Sequence, residues 1–405
     1  MGFFISSFVV FPTCFRMSAS FVQSVVVGAG AVGLSAARVL ARAGREVLLV
    51  DRASRAGTGT SARNSGVVHA GLYYERGSVK AATCVEGSWM LHRFCEIFSV
   101  PINKCGKLVV AMNKAQDAKL EILYMRALGL GARDIVLLPG EDALRFEPNL
   151  SPKTAGAIWS PHTATIDAAA FTEALLRDCQ SIGGFGFSAK SEVVSVEHSR
   201  MDGLFTLEFA DGTRIRCKEL VNAAGLHAGQ ISKLLKVEGL PKISFFKGSY
   251  FSIKSIKSSP FQRLIYPVPS GAHLGIHTVI DPSGALRFGP DCVKVDEAFL
   301  GEATTAHSVD PTSAAQFREA ISQYWPEVPE VGEFEPDFAG IRPRTDANDF
   351  AIEQHGIPGY VALYGIDSPG LTAALSLGHR VGDLLGVHGV VTPEMKSSHV
   401  YEWEA

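Results

Sequence analysis

The chain has 405 residues, 46% of them hydrophobic and 20% charged, enough to bury two domains or one large interleaved core. Its formal net charge of −3 and its lack of any Lys/Arg-rich run exclude nucleic-acid binding as an expected function. The seven cysteines form no Cys-x-x-Cys pair and no Cys/His cluster with zinc spacing, so we expect reduced thiols and no metal site.

Residues 1–23 precede the first predicted strand. They contain no acid, one arginine (Arg16) and a Phe/Val-rich run, residues 3–15, that is too short to span a membrane. Two interpretations stay open. The segment is either a targeting peptide, which predicts a mitochondrial protein, or an unstructured leader before a true start at Met17, which leaves the cytoplasm as the alternative.

Residues 24–51 carry the strongest local pattern, a β-branched run, three glycines, an alanine-rich helix and a second apolar run. In a dinucleotide site Gly28 allows the sharp turn, Gly30 leaves room for a pyrophosphate and Gly33 brings helix and sheet together. The helix start attracts phosphate, and Asp51 ends the second strand where a carboxylate binds ribose. We therefore predict a dinucleotide site rather than a purely structural turn.

A loop rich in small and hydroxylated residues follows at residues 57–71. It lacks helix or strand periodicity, and loops of about 15 residues in compact domains are usually functional or disordered. It also carries Arg63, Asn64 and His69 among its glycines. We expect it to cradle a cofactor rather than to be a solvent loop.

The rest of the chain alternates helical and strand patterns. Helices are predicted at residues 78–98 (capped by Ser78), 115–128, 140–146, 167–181, 313–324 and 371–385, the last opened by Pro369-Gly370. Strands are predicted at residues 106–112, 192–197, 204–209, 214–217, 219–225, 249–253, 264–267, 274–280, 286–288, 338–342 and 360–364. The small residues ending the strand at 219–225 suggest that its tip meets another backbone or a ligand.

Taken together, several motifs resemble the flavin-dependent oxidoreductases of the D-amino-acid-oxidase-like superfamily. The matching stretches are residues 26–33, 59–65, 68–74, 77–81, 105–109, 222–225, 265–269, 274–277, 288–291, 340–344 and 364–372. Within that superfamily the chain looks most like the enzymes that oxidise L-2-hydroxyglutarate. It departs from their pattern at Gly66, where a larger residue is frequent, and at Lys247, where arginine is as common.

The resemblance implies an α/β fold, with a Rossmann-like FAD-binding domain of the glutathione-reductase type interleaved with an antiparallel-sheet substrate domain. The implied FAD-binding segments are 24–103, 155–240 and 338–395, and the substrate-binding segments are 104–154 and 241–337. FAD would lie extended between them. The implied cofactor-binding residues are Gly28, Gly30, Ala31, Val32, Gly33, Asp51, Arg52, Thr60, Ser61, Arg63, Asn64, Ser65, Val193, Ala224, Gly225, Arg342, Pro369, Gly370, Leu371 and Thr372.

The implied reaction is oxidation of a 2-hydroxy acid, L-2-hydroxyglutarate, to its 2-oxo acid, with a hydride passing to flavin N5. Arg342 is the candidate for binding a carboxylate, since its planar fork gives two hydrogen bonds; a surface ion pair is the alternative. Lys247, with Tyr250 or Tyr266, would hold the distal carboxylate. His69 and His277 are the candidate bases, which the sequence does not rank, and either could be merely structural.

Two other functions stay open at this stage. One is an amine or amino-acid oxidase or a glycerol-3-phosphate oxidoreductase of the same superfamily, and the other is a non-catalytic flavin-bound protein. The electron acceptor is open among oxygen, a quinone and a carrier flavoprotein. A quinone would favour association with a membrane without spanning it.

Overall fold

The computed structural model describes residues 21–269, 274–301 and 307–395. The predicted leader, apart from its last three residues, lies outside these ranges, so neither interpretation of it is tested. The α-helices of the described residues are α1 (Ala31–Arg42), α2 (Val79–Phe98), α3 (Lys114–Gly129), α4 (Gly140–Phe146), α5 (Ala168–Gln180), α6 (Ala228–Leu234), α7 (Ala314–Ser322) and α8 (Gly370–Leu384).

The strands form four sheets within the described residues. They are β1 (Phe21–Val27), β2 (Val47–Val50), β3 (Val67–Val68), β4 (Ile102–Asn103), β5 (Lys107–Ala111), β6 (Val136–Pro139), β7 (Gly156–Ser160), β8 (Ala164–Ile166), β9 (Phe185–Ser188), β10 (Val193–His198), β11 (Phe205–Phe209), β12 (Arg214–Asn222), β13 (Ile243–Ile253), β14 (Leu264–Pro267), β15 (His277–Ile280), β16 (Leu286–Gly289), β17 (Val293–Val295), β18 (Phe334–Thr345), β19 (Ala351–Glu353) and β20 (Tyr360–Tyr364).

The largest sheet is built around β1, whose apolar residues are buried on both faces, as is typical of a parallel sheet. β1 lies between β12 and β2, β2 pairs with β9, and β20 pairs with the end of β12, all in parallel. β10 and β11 extend the sheet as antiparallel strands beside the start of β12. The carboxyl ends of β1, β2 and β12 therefore meet at one edge, where ligands bind in such folds.

Four helices cover one face of this sheet. Leu40 of α1, Phe94 of α2, Phe171 of α5 and Leu377 of α8 belong to one buried cluster. α1 and α8 touch backbone to backbone, because a Cβ at Gly378 would lie 2.7 Å from the Ser35 carbonyl oxygen. This close packing fixes where α8 begins, at the edge to which the β1 turn also points.

The second half of the molecule has mostly antiparallel strands. β14, β5, β7 and β6 form one sheet, and β15, β16, β13 and β17 form another, with β18 pairing along almost the whole of β13. Val109, Ile158, Phe251, Tyr266 and Phe317 share its core. The mixed α/β class predicted from the sequence is thus present.

The predicted segment boundaries at residues 155 and 338 cut across these sheets. The boundary at 155 assigns β7 to the cofactor half, whereas β7 pairs with β5 and β6. The boundary at 338 divides β18, which pairs with β13 from Phe334 to Thr345. The division into two domains stays a prediction. No helix among the described ranges is long and apolar enough to cross a membrane.

Candidate functional site

A single cavity of about 1680 Å³ runs between the two halves. Cavities for drug-sized ligands measure roughly 300–1,000 Å³, so this one has room for an extended dinucleotide and a substrate. All the residues predicted to bind cofactor or substrate line it, except Lys247. The turn after β1 lies at one part of its wall, and the start of α8 and the middle of β18 lie at others.

The glycine turn after β1 packs so tightly that only glycine fits at two of its positions. Gly28 has a φ of +104°, and a Cβ there would lie 2.4 Å from the Ala223 carbonyl oxygen. A Cβ at Gly33 would lie 1.8 Å from the Gly28 carbonyl oxygen. The tip of β12 therefore meets the β1 turn, which confirms the prediction that its small residues face another backbone.

Gly30 differs from these two glycines, because its open side faces a side chain. A Cβ there would lie 3.0 Å from Ser61 Oγ, and Gly30 caps α1 without a side-chain hydrogen bond. Ala31 N donates to the same Ser61 Oγ over 3.0 Å. The first turn of α1 thus borders the cavity with backbone N–H groups, the arrangement that favours a phosphate.

Asp51, at the end of β2, locks this turn in place. Its Oδ2 accepts from Ala29 N at 2.7 Å and its Oδ1 from Ala53 N at 2.8 Å. Each carboxylate oxygen has a second acceptor position, so the two bonds leave capacity for ribose hydroxyls. Binding of ribose by Asp51 stays a prediction. Beyond it, Arg52 and His227 are joined by a hydrogen bond of 2.6 Å at the end that Val193, Ala224 and Gly225 line.

The loop at residues 57–71 is ordered by its own polar groups. Asn64 Nδ2 donates to the carbonyl oxygens of Thr60 and Ser61, and its Oδ1 accepts from Gly66 N at 2.8 Å. Gly66, the departure noted in the sequence, has a φ of +65°, and a Cβ there would lie 2.6 Å from the Ile166 carbonyl oxygen. This loop is therefore a cavity wall rather than a solvent loop.

The start of α8 is tied to the loop residue His69. Thr372 Oγ1 accepts from His69 N at 3.1 Å and donates to the Val67 carbonyl oxygen at 3.2 Å. Ser368 Oγ lies 3.3 Å from His69 Nε2. No side chain caps α8, and Pro369, Gly370, Leu371 and Thr372 all line the cavity. A helix N terminus of this kind stabilises negative charge placed before it.

Arg342 reaches the cavity from the middle of β18. The strand opposite leaves space for its guanidinium, since a Cβ at Gly248 would lie 2.9 Å from Arg342 Nη2. Nη2 donates to Tyr250 OH at 3.3 Å, and the Tyr250 ring is stacked on Phe338. Arg344, two residues further, is instead paired with Asp367 at 3.1 Å. Among the described residues Arg342 forms no ion pair, which suits it to an anionic ligand.

Lys247, predicted to hold the distal carboxylate, does not itself line the cavity. It pairs with Ile341, whereas Phe246 pairs with Arg342, so Lys247 and Arg342 point to opposite faces of the sheet. Its Nζ lies 5.4 Å from the centre of the Phe299 ring. Strand alternation thus separates the two side chains, and the role of Lys247 stays a prediction.

Both candidate histidines are buried and are neutral near pH 7. Burial lowers the pKa of His277 to about 3 and lowers the pKa of His69 well below its usual value, with Lys107 and Arg342 adding positive charge nearby. His277 Nδ1 lies 2.8 Å from the Gly275 carbonyl oxygen, so this nitrogen carries the proton and Nε2 has the lone pair. The ring stacks on Tyr266, 3.7 Å between centres.

The sequence analysis missed two residues next to this site, Lys107 and Tyr73. Lys107 is fully buried at the start of β5, and Tyr73 lines the cavity after the long loop. Both belong to stretches that carry the family resemblance, but no role was assigned to them. A lysine inside the apolar run Lys-Leu-Val-Val-Ala was the available signal, because lysines are almost never fully buried without a partner.

Comparison with known proteins supplies a family for this geometry. The model of a family described as FAD dependent oxidoreductase matches residues 23–384. A mitochondrial L-2-hydroxyglutarate dehydrogenase of Arabidopsis thaliana is 35% identical over 412 residues, which cover 89% of this chain and 83% of that protein. A glycerol 3-phosphate dehydrogenase of Caloramator mitchellensis is 27% identical and covers 89% of this chain and 73% of that protein.

Among solved structures, the fold matches L-alpha-glycerophosphate oxidase from Mycoplasma pneumoniae, determined with FAD bound. The TM-score is 0.82 at 24% identity, covering 91% of this chain and 95% of that one. At this identity the likeness concerns the fold alone. The fold class predicted from the sequence is confirmed.

Proposed function

The chain belongs to the family of FAD-dependent oxidoreductases, and on that premise we propose that it oxidises L-2-hydroxyglutarate to 2-oxoglutarate. One observation carries the choice of a substrate with a carboxylate: Arg342 lines the cavity with no ion-pair partner among the described residues. The relative from Arabidopsis thaliana, named for this activity, supports the choice of substrate.

The residues around the cavity fit FAD. The uncapped first turn of α1 would hold the pyrophosphate, and the start of α8 would face the ring system. When bound, FAD supplies the two-electron acceptor for the hydride from the substrate carbon. The N terminus of α8 would stabilise negative charge on such a ring.

Arg342 binds the carboxylate next to the reacting carbon. Its planar fork donates two hydrogen bonds to a carboxylate, and Tyr250 holds the guanidinium in the space left by Gly248. This fixes the carbon that carries the hydroxyl against the start of α8. Orientation of this kind accounts for a large share of catalysis in sites without a covalent intermediate.

His69 accepts the proton from the substrate hydroxyl at Nε2. We assign the transfer to Nε2 because this nitrogen lies 3.3 Å from Ser368 Oγ at the start of α8, whereas Nδ1 is buried without a partner among the described residues. Ser368 Oγ contacts the ring at Nε2, and Thr372 Oγ1 accepts from the backbone N–H of His69, so both hold this residue at the start of α8. There a hydride must leave the substrate carbon and a proton must leave its hydroxyl. His277 stacks on Tyr266, further into the substrate half, and contributes to binding.

The two histidines are separated by single-turnover flavin reduction in matched variants. We expect His69→Asn to lower the rate of reduction about 10²–10⁴-fold, the usual contribution of a positioned base. His277→Asn should mainly weaken binding. A larger loss of the reduction rate in His277→Asn than in His69→Asn would assign the base to His277.

The function is tested by anaerobic bleaching of the visible flavin band. L-2-hydroxyglutarate is expected to bleach the flavin, and D-2-hydroxyglutarate, glycerol 3-phosphate, glycine and L-proline are not. Bleaching by an amine alone would make the protein an amine or amino-acid oxidase. Bleaching by glycerol 3-phosphate alone would favour the activity named for the Caloramator relative.

We also infer a mitochondrial location, supported by the mitochondrial name of the Arabidopsis relative. Imaging of the full chain fused at its C terminus to a fluorescent protein tests this, and a cytosolic signal would contradict it. The electron acceptor stays a prediction among oxygen, a quinone and a carrier flavoprotein. Reoxidation rates of the substrate-reduced enzyme with each acceptor decide between them.

A further inference from the structure

Lys107 is a buried cation without a polar partner. It begins β5 with none of its surface exposed, and its Nζ has no hydrogen-bond partner among the described residues. Two aromatic rings enclose it, since Nζ lies 4.7 Å from the centre of the Tyr73 ring and 4.8 Å from that of Tyr266. Cation–π contact stabilises an ammonium group but replaces only part of its hydration.

The same two tyrosines connect Lys107 to the cavity. Tyr73 and Tyr266 line it, whereas Lys107 does not, so the two rings contact both the ammonium and the ligand space. Both hydroxyls are buried and have no hydrogen-bond partner within the described ranges. Burial also raises the pKa of both tyrosines, so each hydroxyl stays a proton donor at working pH.

We propose that Tyr73 and Tyr266, backed by Lys107, form the subsite for the second carboxylate of the substrate, with Lys107 acting through the two rings. The inference deepens the proposed function and rests on a dicarboxylic substrate. The two hydroxyls donate to the carboxylate, and the ammonium behind them balances its charge. Lys247, the residue expected to hold this carboxylate, lies on the other face of its sheet.

Binding should then be coupled to uptake of a proton. Burial lowers the pKa of Lys107 from 10.5 to about 7, so without a ligand the side chain is largely neutral above that pH. A carboxylate at the two hydroxyls favours the charged form. The subsite therefore acquires its full positive charge when the anion arrives.

The other titratable groups near Lys107 do not supply this proton. Cys84 on α2 has a pKa raised to about 12 by burial, and the pKa values of His69 and His277 are lowered. The guanidinium of Arg342 on β18 is a further charged group at the cavity. Among these neighbours, together with Tyr73 and Tyr266, Lys107 alone titrates near neutral pH.

The first test measures proton uptake on binding of glutarate, a five-carbon dicarboxylate with no hydroxyl to oxidise. Glutarate is titrated calorimetrically into FAD-loaded protein at pH 8, in two buffers of different ionisation enthalpy. The wild type is expected to take up close to one proton per glutarate, roughly the shift of one lysine. Butyrate, which lacks the second carboxylate, should bind with none.

Matched variants assign the proton to its residue. Lys107→Met keeps a side chain of similar length without charge and should lose both the uptake and at least tenfold in glutarate affinity. Lys107→Arg, charged at every working pH, should bind glutarate without uptake. Tyr73→Phe and Tyr266→Phe keep the rings and remove the hydroxyls, so each should weaken glutarate binding but not butyrate binding.

Unchanged proton uptake and glutarate affinity in flavin-loaded Lys107→Met would overturn the inference. If that variant does not fold, the two phenylalanine variants decide in the same way, by keeping or losing the preference for glutarate over butyrate. Failure of the proposed function looks different. The wild type would then bind glutarate with uptake of a proton, but L-2-hydroxyglutarate would not bleach its flavin.

Kinetics add a second readout for a charge that acts through the rings. KM for L-2-hydroxyglutarate should rise in the wild type as pH increases through about 7, following loss of the Lys107 proton. In Lys107→Met the KM should be high and flat across the same range, with a smaller change in kcat. A Lys107→Met profile that still bends near pH 7 would assign the titration to another group.

Discussion

The two ends of the cavity treat their polar groups in opposite ways. At the glycine turn, Asp51 and Ser61 accept backbone hydrogen bonds that hold the turn and the first turn of α1. At the substrate end, the polar atoms of Tyr73, Tyr266 and Lys107 are buried with no partner in the described residues. We call the glycine turn the complete end, because its polar groups bond to each other, and the substrate end the incomplete end, because its polar atoms lack partners.

We expect this difference if the glycine turn binds a cofactor and the other end binds a substrate. A cofactor that stays bound needs a rigid cradle, and hydrogen bonds within the protein provide it. A substrate that comes and goes can supply the missing partners itself, and burying unpaired polar groups costs about 1–3 kcal/mol each. Selectivity arises because a wrong ligand leaves that cost in place.

The largest effect is expected at the complete end, from Gly33→Val. A Cβ there would lie 1.8 Å from the Gly28 carbonyl oxygen, so α1 cannot pack on the sheet and little folded protein should be recovered. Gly30→Val is the matched control, because its Cβ faces only Ser61 Oγ, at 3.0 Å. That variant should fold but lose the yellow colour of FAD, and a yellow protein would contradict a pyrophosphate at Gly30.

At the incomplete end, Arg342→Ala should abolish most activity while FAD stays bound. Loss of two charge-assisted hydrogen bonds to a carboxylate predicts a fall in kcat/KM of about 10²–10³-fold. Arg342→Lys keeps the charge but lacks the planar fork, so its kcat/KM should lie between those of the wild type and Arg342→Ala. Wild-type kinetics in Arg342→Ala would rule the residue out as the carboxylate anchor.

Lys107→Met should make the protein more stable, which is the clearest sign that this end is unsatisfied. Because burial lowers the pKa of Lys107 from 10.5 to about 7, the unfolded chain holds more protons between these values. The free energy of unfolding therefore rises as pH increases through that window. Below pH 7 the buried charge of Lys107 destabilises the fold most. Removing the amine should raise the free energy of unfolding at pH 6 by roughly a few kcal/mol.

Denaturant titrations at pH 6 and pH 9, with saturating FAD, measure this effect. The gain from Lys107→Met should shrink at the higher pH, where the native lysine is already neutral. An equal gain in stability at pH 6 and pH 9 would mean that the effect of Lys107→Met comes from packing rather than from charge. Leu108→Met, a substitution next to it in β5, controls for the change in the core.

The smallest effect is expected from Ser61→Ala at the complete end. It removes one acceptor for Ala31 N, and one such bond contributes about 0.5–1.5 kcal/mol to stability. Thermal unfolding of the FAD-free protein measures it. A loss of FAD affinity well beyond tenfold would show that Ser61 also binds the cofactor directly.

The sequence predicted the complete end far better than the incomplete one. The glycines, Asp51 and the flanking strands lie within residues 24–51, so local spacing contains the whole geometry of that turn. Helix caps are equally local: Ser78 accepts from Ala81 N, as predicted, and Asp167, predicted only to lie near the start of its helix, accepts from Ala169 N and Ala170 N. Short-range rules were sufficient where every partner is near in sequence.

The substrate end depends on pairing between distant segments. Lys107, Tyr73 and Tyr266 come from β5, a loop and β14, and only the parallel pairing of β14 with β5 brings them together. The direction of the Lys247 side chain likewise depends on its register with Ile341, almost 100 residues away, which local spacing does not reveal. Strands β6, β7 and β9 were not predicted, because their pairing rather than their composition makes them strands.

One ion cluster far from the cavity bears on how the chain matures. Arg38 of α1 is 1% exposed, and its guanidinium donates to Glu394 at 2.7 and 2.9 Å and to Asp178 at 2.5 Å. A buried guanidinium deprived of its carboxylate costs about 3–5 kcal/mol. The helix that follows the glycine turn thus completes its charge balance only after residue 394 has left the ribosome. The coenzyme-binding half is synthesised first, but this ion cluster stabilises it only near the end of synthesis.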